Sequence, residues 1–182
     1  MYHIKSDKRA RCSSDMICLA MLKTLEEKPF EEISVSDIQR RSTVSRSTFY
    51  RHFDSLEDVL ALLCDRGFEE IFSGGGDTVP APAAMLHYWY THGELLDALV
   101  KAGKTELFCD SFSRSLAATR AAELLDTEGP EFDYFTSSIA YTMIGTLATW
   151  IRRGRRESEE QVMQALLKAF SAMDMLNIFL LN

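Results

Sequence analysis

Ile17, Met21 and Leu25 recur every fourth residue among polar neighbours, and that period predicts a first helix from about Ser13 to Glu27. Pro29, in EKPFEEI, has no amide to donate and ends it. Ser34-Val35-Ser36-Asp37 places a hydroxyl and a carboxylate three apart, a variant capping box, so a second, brief helix is expected from there to near Ser42. Thr43-Val44-Ser45 makes a tight connection, and Ser45 is a natural N-cap for a third helix through Phe53. Asp54 or Ser55 caps a fourth, whose apolar stripe is Leu56, Val59, Leu60, Leu63 and Phe68. SGGGDTVPAPA, residues 73–83, cannot hold a helix and reads as a linker between two packed units. Beyond it helical spacing resumes, with helices expected at about 83–102, 105–126, 131–153 and 158–180. No strand alternation or internal repeat stands out, and the expected fold class is all-α.

The third helix carries a distinctive surface. At about 100° per residue, Phe49 and Phe53 point together and must face a core. Ser47 and Arg51 then lie opposite, with Arg46 and Tyr50 on one flank and Thr48 and His52 on the other. A small, hydroxylated, basic face suits a helix laid in a DNA major groove, where donors meet bases and phosphates. Two short helices joined by a three-residue turn, behind a stabilising helix, form a helix-turn-helix.

Charge sharpens this picture. The chain carries a formal net charge of −7, yet residues 34–53 hold four arginines against Asp37 alone, a local +3. Residues 73–182 hold nine Lys/Arg against fourteen Asp/Glu, −5. One basic patch on an acidic body implies a local anion partner. Lys8, Arg9 and Arg11 admit two readings, an arm on the DNA backbone or minor groove and an unstructured start. RRGRR (152–156) reads as a helix C-terminus with Gly154 as its stop, rather than as a second nucleic-acid site. The length of 182 residues and 46% hydrophobic content suit one or two globular domains. The opening residues are too polar for a secretory signal. The best apolar run, IAYTMIGTLATWI (139–151), falls short of the roughly 18 residues a bilayer span needs. A cytoplasmic protein without membrane attachment is expected. Cys12, Cys18, Cys64 and Cys109 show no metal-ligand spacing, and reduced, mostly buried thiols are the default. No cofactor or metal is implied. There is no GxSxG, phosphate-binding glycine loop or HExxH, so no enzyme is expected.

The run EKPFEEISVSDIQRRSTVSRSTFYRHFDSLEDVLALL resembles the DNA-binding region of the tetracycline-repressor (TetR) family over about residues 13–65, most specifically in VSRST and FYRHF. By that resemblance Ser34 caps the second helix and touches a phosphate. Ser45, Arg46, Ser47 and Thr48 match the start of the recognition helix, where bases and phosphates are met. Tyr50 and His52 match a backbone-contacting pair, and Phe49 and Phe53 match the anchors on the core. Arg51 joins the DNA-facing set from its place on the wheel. Two positions depart from the family: Thr43 stands where glycine is usual in the turn, and Leu56 where a phosphate-binding lysine often begins the fourth helix.

The organisation expected is a helix-turn-helix DNA-binding domain at 1–55, a connecting helix and linker at 56–82, and a helical effector-binding and dimerisation domain at 83–182. A helix-turn-helix protein commonly dimerises on a palindromic operator. The last two helices offer Phe135, Ile139, Met143, Thr146 and Trp150 amid small residues, and Val162, Leu166, Ala169 and Met173, as an interface. The resembled family pairs equivalent helices in a four-helix interface, and usually holds an effector in this unit. Trp89, Tyr90, His92, Phe108, Phe112 and Tyr141 are the candidates to line a pocket for an unknown small molecule. The segments HYWYTHGELLDALVKAGKTELF and ATWIRRGRRESEEQ are similar to a branch that includes a co-activator of dihydroxyacetone-kinase expression. The leading expectation is a ligand-released dimeric repressor. The alternative is a co-regulator of the same fold acting mainly through another protein.

Overall fold

A computed structural model describes residues 2–5, 7–73, 81–119 and 129–180, with 173–180 as backbone only. Of the expected features, residues 74–80 of the linker, 120–126 of the helix expected at 105–126 and the Met173 side chain lie outside the described residues. The regular structure among the described residues is helical, apart from one isolated bridge between Tyr2 and Phe53. No helix among them is long and apolar enough to cross a membrane.

Helix α1 spans Lys8–Leu25 and starts earlier than its apolar period indicates, because the Asp7 carboxylate caps the Ala10 amide at 2.9 Å. Its buried side, with Ile17, Cys18 and Met21, faces the other helices of the N-terminal unit. Pro29 leads into a 3-10 turn, Phe30–Glu32. Helix α2, Val35–Ser42, has both halves of its capping box: the Asp37 amide donates to Ser34 Oγ and the Ser34 amide donates to Asp37 Oδ2. Thr43 closes α2 in the left-handed region (φ 59°, ψ 10°), the conformation that glycine takes without strain. Helix α3, Arg46–His52, follows at once. Helix α4, Leu56–Ser73, is capped by Ser55, whose hydroxyl accepts from the Asp58 amide at 3.3 Å.

The C-terminal part comprises α5 (Pro82–Thr91), α6 (Gly93–Lys101), α7 (Thr105–Ala117), α8 (Pro130–Arg152) and α9 (Glu159–Leu180). The single helix expected at 83–102 is thus two, bent at His92. The α8 helix ends at Arg152 with Gly154 left-handed at φ 79°, as the RRGRR reading anticipated. α4 packs along α7, and α7 along α8, while α6 reaches back to touch α1. At the centre Phe68 of α4 lies 5.1 Å from Trp89, 4.9 Å from Phe108 and 5.6 Å from Phe112, ring centre to ring centre. Each such ring taken out of water stabilises the fold by about 1.5–3 kcal/mol.

Candidate nucleic-acid interface

The presentation of α3 begins with its anchors. Phe49 and Phe53 are buried, with ring centres 5.6 Å apart, so their faces set the rotation of the helix. At the N-terminus Ser45 Oγ accepts from the Thr48 amide at 3.2 Å and lies within 3.0 Å of the Ser47 and Thr48 hydroxyls. This group of hydroxyls sits where the helix dipole is positive. Arg46, Ser47, Tyr50 and Arg51 are exposed, Thr48 half so, and Ser34 is exposed at the start of α2. Arg46 Nη2 lies 3.4 Å from the Tyr50 hydroxyl and its guanidinium 5.5 Å from the ring centre, so the two flank residues stand as a pair.

The basic patch is smaller than its residue count. Arg40 lies 3.1 Å from Asp37, and Arg41 pairs with Glu27 and reaches the Lys23 carbonyl. Among the described residues neither Arg46 nor Arg51 has a carboxylate partner. Lys28, which carried no signal in the sequence, is held on Asp37 at 2.7 Å. That contact and the Ser34 bonds hold the Asp37 carboxyl well below the usual carboxylate range.

His52 departs from expectation. The wheel put it on the outward flank, yet it is 3% exposed, because residues 2–5 and the start of α1 fold over it. Its Nδ1 has no hydrogen-bond partner among the described residues. Burial, and then the Arg51 charge, lower its pKa from the ordinary value, and Asp7 opposes them. Of the Tyr50–His52 pair, only Tyr50 faces out. This burial was not legible because residues 2–5 carry no helical periodicity. Leu56, in the place of the family's lysine, is half-buried against the core.

Of the residues expected to line an effector pocket, Trp89, Phe108 and Phe112 meet in the core, whereas Tyr90 and Tyr141 lie elsewhere. Trp89 and Phe112 are packed into the aromatic centre around Phe68, each no more than 1% exposed. Tyr90 instead stacks on Trp150 at 4.5 Å, and Tyr141 lies on the outer face of α8, 52% exposed. Trp89 Nε1 is buried without a partner among the described residues. The expected interface residues are likewise turned: Met143, Trp150, Val162 and Leu166 are buried within the chain, while Ile139, Thr146 and Ala169 are half-buried. The outward ridge of α8 is Tyr134, Ser138, Tyr141, Gly145 and Thr149. The helices stand as expected, rotated so that the large residues face inward. On this ridge and its flank Ser138, Thr142, Thr146 and Thr149 each donate to the carbonyl four residues back, at 2.7–2.9 Å. A groove of about 430 Å³ runs between α8 and α9 beside it.

Residues 19–63 match the family described as bacterial regulatory proteins, tetR family. That segment, the helix-turn-helix, is of the TetR family. Over 150 residues it is 33% identical to the HTH-type transcriptional regulator EthR of Mycolicibacterium smegmatis, a match covering 80% of this chain and 64% of that protein. The chain thus spans a little under two thirds of the length of that relative. Among solved structures, Lin0861 from Listeria innocua matches with a TM-score of 0.75 and 18% identity, over 94% of this chain and 96% of that one. The dihydroxyacetone kinase operon activator DhaS matches with a TM-score of 0.61 and 18% identity, over 88% and 95%. These likenesses show a shared fold that runs through the C-terminal helices.

Proposed function

We propose that this chain is a sequence-specific DNA-binding transcription regulator of the TetR family, working in the cytoplasm as a homodimer that represses until a small molecule releases it. The observation that carries the reading is the α3 surface: Arg46, Ser47, Tyr50 and Arg51 stand outward on a capped helix anchored by Phe49 and Phe53. Ser45 and Thr48 complete the end nearest the bases, and Ser34 contributes a phosphate contact from α2. Residues 1–55 serve as the DNA-binding domain, 56–82 as the connection, and 83–182 as the dimerisation and effector domain.

Dimerisation is assigned to the outward ridge of α8 and the neighbouring face of α9, where small side chains permit close backbone approach. Two recognition helices would then address successive major-groove faces about 34–36 Å apart. The effector is assigned to the aromatic centre around Phe68, where Trp89 Nε1 offers a donor in apolar surroundings. A ligand that favours one spacing of the two α3 helices shifts the population away from the DNA-fitting state.

The test is selection of genomic DNA fragments on the purified protein, followed by titration of a selected labelled duplex at two salt concentrations. Tight, sequence-dependent binding with a clear salt slope is expected. Affinity no better than for random duplex overturns the reading. Arg46→Ala and Arg51→Ala should each weaken binding, and a lost phosphate contact lowers the salt slope by about 0.9.

A further inference from the structure

Residues 2–5 lie against the molecule instead of projecting from it. Tyr2 forms an antiparallel bridge with Phe53. The His3 amide donates to the His52 carbonyl at 2.7 Å, and His3 Nε2 lies 3.2 Å from Asp54 Oδ2. These contacts hold the C-terminal end of α3. The same short segment also reaches the other half of the chain, because the Tyr2 hydroxyl donates to Asp65 Oδ2 at 2.5 Å. Asp65 belongs to α4 and is 8% exposed. Its other oxygen accepts from two groups of α7, the Ser111 hydroxyl and the Arg114 guanidinium, the latter at 2.6 Å.

A buried carboxylate needs a counter-charge and hydrogen bonds. Arg114 and Ser111 supply both from α7, so Asp65 does not require the tyrosine. What Tyr2 adds is a fixed place for the segment that holds the end of α3. An O–H donor on an ionised acceptor is among the stronger hydrogen bonds. Burial and the Asp65 carboxylate raise the Tyr2 pKa above the ordinary tyrosine value, which keeps the hydroxyl a donor.

We propose that residues 2–5 are a strap that carries the placement of α7 to the recognition helix, with Tyr2 and Asp65 as positioning residues for DNA binding. The inference rests on the DNA-binding reading above. Its path is continuous: Ser111 and Arg114 on α7, the carboxylate on α4, the Tyr2 hydroxyl, then His3 to the His52 carbonyl. α7 also sends Phe108 and Phe112 into the aromatic centre. A change of packing there that shifts α7 against α4 alters the hold on Tyr2, and so on the end of α3.

The test uses the full chain, with Tyr2→Phe and Arg114→Gln alone and together. Amide hydrogen exchange across 46–53 is read without DNA, and the affinity and salt slope for the selected duplex are read well below the melting temperature. Tyr2→Phe should speed exchange in 49–53 and weaken duplex binding about fivefold, with the salt slope unchanged. Arg114→Gln should act in the same direction, and the double variant should fall short of the product of the two effects. Unaltered exchange in α3, multiplicative effects, or a salt slope reduced in Arg114→Gln (which would mean that Arg114 itself meets a phosphate) overturns the proposal. If the wild-type chain binds no duplex, the function reading fails, and the exchange measurement still decides whether the strap holds α3.

Discussion

The guanidinium of Arg155 occupies the space that a side chain on residue 93 would need. A Cβ built on Gly93 would meet Arg155 Nη1 at 2.5 Å, while Arg155 Nη2 donates to the Gly93 carbonyl at 2.7 Å and lies in an ion pair with Asp97 at 2.8 Å. Arg155 makes this contact from a left-handed backbone, φ 55°, held by its amide on the Trp150 carbonyl. The turn between α8 and α9 is thereby pinned to the first turn of α6, the helix that touches α1. Gly93→Ala should push the flexible Arg155 tip off its partners at a modest cost, about 1 kcal/mol in a urea melt. Added to Arg155→Ala it should cost less than it does alone, because the obstructing group is gone. Equal costs in both backgrounds would refute the steric account.

Thr43 sits in the left-handed turn between α2 and α3 and is exposed. An L-residue there is strained by about 1–2 kcal/mol, against about 0.4–1 kcal/mol for the extra unfolded-state freedom of glycine. Thr43→Gly should therefore stabilise the fold by a net of about 0.5–1 kcal/mol, read as a higher denaturation midpoint with no change in the denaturant slope. An unaltered or lowered midpoint would place the strain elsewhere.

The lowered pKa of His52 gives stability a defined pH dependence. In the unfolded chain the imidazole takes up a proton near its ordinary value of 6.5, and in the fold, buried beside Arg51, it does so only at lower pH. This group favours the fold fully above about 6.5, and that contribution is lost as pH falls through the folded value. His52→Gln should flatten the decline in melting temperature between about pH 7 and pH 5 relative to the parent chain. Parallel curves for parent and variant would count against the buried assignment.

The four cysteines should divide one against three. Burial pushes the Cys18 thiol up to about 12 and Cys109 up to about 11, and raises Cys64 further still, whereas Cys12 is exposed. A thiol reagent at neutral pH should label Cys12 quickly and the others only after denaturation, as peptide mass analysis would report. Rapid labelling of Cys64, the most deeply buried of them, would contradict the packing of α4.

The N-terminal architecture was legible because its determinants are local. Ser34, Asp37 and Ser45 satisfy amides within three residues of themselves, and Phe49 and Phe53 mark a face by spacing alone. What escaped the sequence depends on partners far along the chain. His52 is covered by residues some fifty positions away, and α5 and α6 separate at His92 where Gly93 must admit Arg155. In α8 both faces hold residues at helical spacing, so periodicity alone did not decide which face turned inward. α7 and the α5–α6 pair took the larger side chains, Met143, Ile144, Leu147 and Trp150.

The four hydroxyls along the outer side of α8 already direct their protons to their own helix. Removing water from that ridge would strand none of those donors, so its dehydration is cheap for a surface with so many oxygen atoms. The helix can present polar atoms to bulk solvent and still close against a dry partner surface, and Gly145, with no atom within 4 Å of a built Cβ, leaves room at the middle of the ridge for the closest approach.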